Sequence, residues 1–153
     1  MRKLSYLGVV LSVALCLGVS VQGADKPEKG APKCPVSGKA ISKDHAVAYK
    51  DGQVYFCCEN CPKAFTADTA KYATKANVQL VATGQYKQVK CPLSGEAVNP
   101  KAHLKVAGLT VEFCCDDCKG KVKEAKKGEK VNLVFSDDAF KKGFEKAKAD
   151  DKK

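Results

Sequence analysis

Apolar residues along this chain fall first into one long run and then into many short ones. Leu4 to Val21 is apolar apart from small residues, Ser and one Tyr. Beyond it the apolar segments shrink to three to five residues separated by polar or Gly-containing breaks. Ala46 to Tyr49 and Val54-Tyr55-Phe56 are rich in strand formers and flank Asp51-Gly52, a strong hairpin signal. They predict a β-hairpin. A helix is expected from about Glu59-Asn60 through Phe65. A second, short helix capped by Asp68 or Thr69 is expected to end near Lys75. Val78 to Ala82 reads as a closing strand. The same order then recurs: Leu104 to Val106, a turn at Ala107-Gly108, Leu109 to Phe113, a helix from Asp116 to about Lys126, and a strand from Val131 to Phe135. Ser136-Asp137-Asp138 is expected to cap a last helix running to about Lys148.

The recurrence is a duplication. Lys33-Cys34-Pro35-Val36-Ser37-Gly38-Lys39-Ala40 matches Lys90-Cys91-Pro92-Leu93-Ser94-Gly95-Glu96-Ala97 at an offset of 57. Val54-Tyr55-Phe56-Cys57-Cys58-Glu59-Asn60-Cys61 matches Val111-Glu112-Phe113-Cys114-Cys115-Asp116-Asp117-Cys118 at the same offset. Four pairs of cysteines superimpose without a gap. Val78-Gln79-Leu80-Val81 resembles Val131-Asn132-Leu133-Val134 at an offset of 53, so a loop has shortened by four residues. The organisation expected is a segment 1–23, a polar linker 24–32, a first module 33–83, a connector with the second module 84–136, and a C-terminal helix and tail 137–153. The expected core is Val36, Ile41, Val54, Phe56, Phe65 and Leu80, with Leu93, Val98, Val111, Phe113, Val122 and Leu133. That is a thin core for modules of about 50 residues, a size at which staples or metals are often needed.

The first run changes the picture of compartment. Arg2 and Lys3 precede it, and Val21-Gln22-Gly23 follows with small or apolar residues where a signal peptidase reads. Residues 1–23 therefore read as a secretory signal, cleaved after Gly23 and removed in the mature protein. The protein is expected to be exported, periplasmic or extracellular, and to meet a membrane only transiently through that signal. The chain's 27 basic residues lose Arg2 and Lys3 with it, leaving 25 lysines against 17 acids, a net charge of +8 and no arginine. Export, and the lack of the residue suited to bidentate phosphate and guanine contacts, argue against a nucleic-acid partner. The lysines alternate with Ala and Glu on expected helices, as on a solvated face.

Of nine cysteines, Cys16 leaves with the signal and eight remain. Each module reads Cys-x22-Cys-Cys-x2-Cys. Cys57 is expected to end a strand and Cys61 to lie in the first turn of a helix. The thiols then converge at a helix N-terminus, where the dipole and free N–H groups favour thiolate. Cys34 in its own turn can close on the same point, giving three or four sulfurs around a tetrahedral centre. Two other states are open to eight cysteines in an exported chain. One is a set of structural disulfides; the other, suggested by Cys58-x2-Cys61, is thiol redox chemistry. His45 and His103 fall in the same loop but not at one repeat position, so both read as loop residues. Gly-x-Ser-x-Gly, phosphate-loop and His-Glu-x-x-His patterns are absent, and the chain reads as a non-enzyme.

The Cys-x22-Cys-x3-Cys spacing resembles the TRASH domain. The Pro-Val-Ser-Gly…Val-Tyr-Phe-Cys-Cys-Glu-Asn-Cys frame resembles the related YHS family. The resemblance covers roughly residues 33–75 and 90–125. It implies an α+β fold of two tandem treble-clef or zinc-ribbon-like modules, each a β-hairpin plus helix, in a protein that handles or senses heavy metals. It implies metal-ligand roles for Cys34, Cys57 and Cys61 and for Cys91, Cys114 and Cys118. In the YHS pattern a cysteine stands where this chain has Ser37 and Ser94, which leaves the fourth ligand open; Cys58 and Cys115 are the candidates, with water, His45 or His103 as alternatives. The bound species expected is zinc, copper(I) or another thiophilic ion, with room for a protein partner of unspecified identity.

Overall fold

The computed structural model describes residues 30–148. The expected signal 1–23, most of the linker and the last residues of the tail lie outside the described residues. Strand β1 (Ser42–Tyr49) and β2 (Gly52–Phe56) form the first hairpin. Helices α1 (Asn60–Ala67) and α2 (Thr69–Ala82) follow, then a short strand β3 (Tyr86–Gln88). The second hairpin is β4 (Asn99–Val106) and β5 (Leu109–Phe113), followed by α3 (Asp116–Glu124), α4 (Lys127–Phe135), α5 (Asp137–Gly143) and β6 (Phe144–Lys146). The fold is α+β, and the described residues form three two-stranded antiparallel sheets: β1–β2, β3–β6 and β4–β5.

The two hairpins repeat to the residue. Ser42 pairs with Phe56 and, after a bulge, Ala46 with Tyr55; Asn99 pairs with Phe113 and, after the same bulge, His103 with Glu112. The expected strands are therefore longer than their apolar cores, and the bulge is part of the repeat. The turn sits one residue earlier than Asp51-Gly52 suggests. Lys50 takes the left-handed φ of +52° and Tyr49 pairs with Gly52. Gly52 is required for a different reason. A Cβ there would stand 2.9 Å from Leu80 Cδ2 and 2.7 Å from Gln85 Oε1, so only glycine lets these side chains close over the strand.

Several expectations are corrected. Val78 to Ala82 is the end of α2, not a strand. Asp68 caps that helix, its carboxylate accepting from Lys71 N–H at 3.1 Å, and the helix continues well past Lys75. Ala73, Ala76, Asn77 and Leu80 are buried at helical spacing. The four alanines of the segment favour helix, which outweighs a five-residue apolar run that either structure could contain. Val131 to Phe135 is likewise helix, opened by Glu129, whose carboxylate accepts from Lys126 N–H at 3.2 Å. Its buried face is Val134 and Phe135, so Leu133, expected in the core, is 40 % exposed. The last helix stops at Gly143, not near Lys148, and Phe144–Lys146 pairs with β3, a strand hidden in the expected connector.

The corrected elements build one shared core. Leu80 and Ala76 of α2 belong to the same buried cluster as Val134 and Phe135 of α4, Phe140 of α5, and Tyr86 and Phe144 of the β3–β6 ribbon. Phe140 stacks on Phe144 at 5.1 Å, Tyr86 lies 5.0 Å from Phe140, and Phe135 5.4 Å from Phe144. In the first module Phe65 packs against both Phe56 and Tyr49 at 5.4 Å. Each fully buried aromatic or Leu contributes about 1.5–3 kcal/mol over its exposed state. Gly143 lets α5 dock on the second cysteine turn. Its carbonyl accepts from Val89 and Lys90 N–H at 2.8 and 3.2 Å, and a Cβ would meet Pro92 Cα at 2.9 Å.

A polar cluster ties the first hairpin to the last helix. Asn77, fully buried, donates to Phe135 O at 2.9 Å and to Asp137 Oδ1 at 3.0 Å. Lys50 Nζ donates to Asn77 Oδ1 and to Asp137 Oδ1, both at 2.9 Å, and lies 4.5 Å from the Phe140 ring centre. Burial pushes the Asp137 carboxyl up, but the bonds from Asn77, Lys50 and Tyr49 and the Lys50 charge outweigh it and hold the carboxyl below its ordinary value.

Gly143→Ala is expected to lower stability by about 1–3 kcal/mol, because the added methyl meets backbone that cannot rotate away; thermal melting of the variant against the parent reads this. A depressed carboxyl stabilises fully above its unfolded pKa and loses that contribution as protons return. The parent should therefore lose stability as pH falls below the ordinary carboxyl value of 3.8. Asp137→Asn should remove that part of the acid dependence and cost about 1 kcal/mol at neutral pH, the size fitting a half-exposed ion pair. Denaturant melts across pH check both; parallel pH profiles for the two proteins would contradict the assignment.

Candidate metal centre

Each first cysteine sits in a turn closed by its own backbone. Cys34 N–H donates to Lys39 O at 2.9 Å and Gly38 N–H to Cys34 O at 2.8 Å. Cys91 N–H to Glu96 O and Gly95 N–H to Cys91 O repeat this, both at 2.8 Å. Gly38 and Gly95 take φ of +74° and +80°, the left-handed region that closes the turn. Pro35 and Pro92 are buried beneath it. The second cysteine directly follows a strand end: Cys57 after Phe56, Cys114 after Phe113. The last lies in a first helical turn, Cys61 in α1 and Cys118 in α3. Strand, turn and helix start thus meet as the spacing predicts.

The sulfurs of Cys34, Cys57 and Cys61 all lie within 4.8 Å of one another, and so do those of Cys91, Cys114 and Cys118. Cys57 to Cys61 is 3.6 Å, and Cys114 to Cys118 is 3.6 Å. Sulfurs placed tetrahedrally at about 2.3 Å from a zinc ion stand about 3.8 Å from each other. The triads are therefore positioned to hold a metal ion. Cys58 and Cys115, the remaining pair, border the triads without joining them. Cys58 Sγ is 3.7 Å from Cys57 and 3.5 Å from Cys61; Cys115 Sγ is 3.6 Å from Cys114. They occupy the outer rim, Cys58 half-buried and Cys115 exposed, whereas Cys34 and Cys91 are 1 % and 0 % exposed. All eight cysteines among the described residues are free thiols. Neither histidine enters a triad; His103 Nδ1 is instead 2.9 Å from Pro100 O.

The surroundings of the deep sulfur ease its ionisation. Burial raises the Cys34 thiol, but hydrogen bonds from the Ser37 side chain and from the backbone of Ser37, Cys57 and Val36 outweigh it and bring it down to about 7. Burial raises Cys91 too, and the Ser94 side chain with the backbone of Ser94, Cys114 and Leu93 brings it to about 7. Cys58 is lowered by the Cys61 side chain and backbone, and Cys115 by the Cys118 backbone and the Cys114 side chain. The opposite happens at the helix-borne cysteines. Burial and the neighbouring sulfurs push Cys61 and Cys118 up to about 12. Without a cation the cluster cannot carry every negative charge, and these two retain their protons.

The serines are functional neighbours that the sequence reading treated only as a departure from the YHS pattern. Ser37 Oγ lies 3.1 Å from Cys57 Sγ, and Ser94 Oγ donates to Cys114 Sγ at 3.2 Å. The position that holds cysteine in that pattern thus still faces the sulfur cluster. The signal was present: both serines repeat at the offset of the cysteines. In the comparisons, no family model, curated protein or solved structure matches the chain.

Exposure and charge together rank the thiols. Limited alkylation of the reduced, ion-free protein with iodoacetamide should modify Cys115 and Cys58 well before Cys34 and Cys91. Peptide mass mapping reads the order; equal rates at Cys34 and Cys115 would contradict the burial described.

Proposed function

We propose that this chain is an exported metal-binding protein in which each module holds one thiophilic ion through Cys34, Cys57 and Cys61 or through Cys91, Cys114 and Cys118. One observation carries the reading: two separate sets of three sulfurs converge, each within 4.8 Å of one another, at matching positions of the repeat. The resemblance to TRASH and YHS modules, which rests on the motif alone, supports the same chemistry. Soft thiolates select zinc, copper(I) or heavier thiophilic ions over magnesium and calcium. A cation at the centre removes the repulsion that keeps Cys61 and Cys118 protonated, so binding releases protons.

The open rim favours capture and exchange over a purely structural ion. A structural zinc site is closed by four ligands. Here three sulfurs converge and the fourth thiol lies beside them on the more open side, where it can meet an arriving ion first. We assign no reaction to the protein; the ion is cargo or signal. The chain's positive charge is spread over lysine-bearing helices and gives no reason to add a nucleic-acid partner.

Native mass spectrometry of protein purified from its own compartment tests this. Two ions per chain, with eight titratable thiols after chelation, is the expected result. Cys61→Ser should leave one ion, as should Cys118→Ser, and the double variant none. A parent mass eight hydrogens low with no metal would instead establish a disulfide-stapled protein.

A further inference from the structure

The two sites share a device that does not follow the repeat. In the first module the Gln79 amide grips the outer edge of β2: its Oε1 accepts from Tyr55 N–H at 2.6 Å and its Nε2 donates to Tyr55 O at 2.7 Å. The same Nε2 donates to Lys33 O at 2.9 Å. Lys33 immediately precedes Cys34, and Tyr55 stands two residues before Cys57. One side chain thus fastens the turn that carries the deep sulfur to the strand that delivers the next.

In the second module Gln88 makes the same three bonds to the matching backbone. Its Oε1 accepts from Glu112 N–H at 3.0 Å, and its Nε2 donates to Glu112 O at 2.6 Å and to Lys90 O at 3.0 Å. Glu112 and Lys90 are the repeat partners of Tyr55 and Lys33. Gln88 is not the repeat partner of Gln79, however. Gln79 comes from helix α2 and Gln88 from strand β3; Asn132, which matches Gln79 in sequence, is exposed on α4. Two unrelated positions thus supply an amide to one set of backbone atoms.

We infer that Gln79 and Gln88 are positioning residues for the two metal sites, each setting the separation between the first and second sulfur ligands. The inference rests on the metal-binding reading of the triads. A paired backbone edge alone would not send the third bond to a cysteine turn. Gln85 shows this: its amide accepts from Gln53 N–H and donates to Gln53 O, both at 2.7 Å, on the same strand edge as Gln79, and its third bond goes to Thr83 Oγ1 at 2.8 Å. It binds no part of a cysteine turn. Residues that orient metal ligands typically change affinity by about 10–100-fold when lost.

The test uses the full chain and cobalt(II), whose sulfur-to-metal charge-transfer absorption reports thiolate ligation. Methionine replaces glutamine with similar length and no charge. In a Cys91→Ser, Cys118→Ser background only the first site remains. There Gln79→Met should weaken cobalt binding by about 10–100-fold, while Gln88→Met and Gln85→Met leave it within about twofold. In a Cys34→Ser, Cys61→Ser background the second site should respond to Gln88→Met and not to Gln79→Met. Circular dichroism and thermal melting accompany each variant. Equal weakening by Gln79→Met and Gln85→Met, or no weakening by either clamp variant, would overturn the positioning role and leave the metal reading intact. Loss of the fold in both clamp variants would overturn it as well, since the amides would then hold the fold and not the site. Failure of the unsubstituted chain to take up cobalt would overturn the metal reading and this inference with it.

Discussion

The rest of the structure depends on the buried face of α2. A module of about 50 residues cannot enclose much apolar surface alone. Here the shortage is met by sharing. Leu80 and Ala76 of that helix join the aromatic cluster of the second half, and Asn77 reaches from the same face to Phe135 O and Asp137. The next buried position, Gln79, holds the first cysteine turn. A fully buried Asn and a fully buried Gln would be costly if unpaired. Both amides are satisfied in this structure. The core and the first thiol cluster are therefore set by one helix, and movement of α2 would be felt in both.

What could be read from the sequence and what could not divide on this same helix. The cysteine frame and hairpins were legible because each signal is local: Cys34-Pro35…Gly38 closes a turn, and Val54-Tyr55-Phe56 leads straight to Cys57. The convergence of three sulfurs follows from strand end, helix start and turn, and the triads have that arrangement. The closing strands were misread because Val78 to Ala82 and Val131 to Phe135 are short apolar runs, for which helix and strand periods barely differ. Capping by Asp68 and by Glu129 settles both as helix. The pairing of β3 with β6 was invisible because Tyr86–Gln88 and Phe144–Lys146 are three-residue partners far apart in the chain. Tyr86–Gln88 falls in the expected connector and Phe144–Lys146 inside the expected last helix, and the docking of Tyr86 and Phe144 into the core shows otherwise.

Crowding four sulfurs is an electrostatic problem before it is a geometric one. Backbone N–H groups and a serine hydroxyl favour charge at Cys34 and Cys91, yet the helix-borne Cys61 and Cys118 are pushed to about 12. The helix N-terminus alone does not make every nearby thiol a thiolate; repulsion within the cluster and burial override it. Protons relieve that repulsion in the ion-free state, and a cation relieves it better because it attracts all the sulfurs at once. An oxidant would relieve it differently, by joining sulfurs in pairs. In an oxidising compartment, as proposed for this chain, that competition would be a real one. The depth of Cys34 and Cys91 bears on it, since an oxidant reaches the rim thiols Cys58 and Cys115 before the buried ones.

The duplication shows which features the physics fixed. The turn, the bulged hairpin, the strand-end cysteine and the helix-start cysteine kept one offset. Each must meet the others at sulfur-contact distance, so an insertion between them would separate the triad. After the triad the constraint relaxes. The offset falls to 53, α2 buries Leu80 where α4 exposes Leu133, and the two modules turn different faces inward. Yet the backbone of Lys90 and Glu112 still receives a glutamine amide, from β3 and not from the second module's own helix. What persisted is a set of hydrogen bonds, not a residue position. A free strand edge beside a ligand-bearing turn has polar groups that must be paired, and any side chain of the right length and donor–acceptor pattern can pair them. Conservation of that kind leaves no trace in a repeat alignment and is found only by asking where each backbone group's partner comes from.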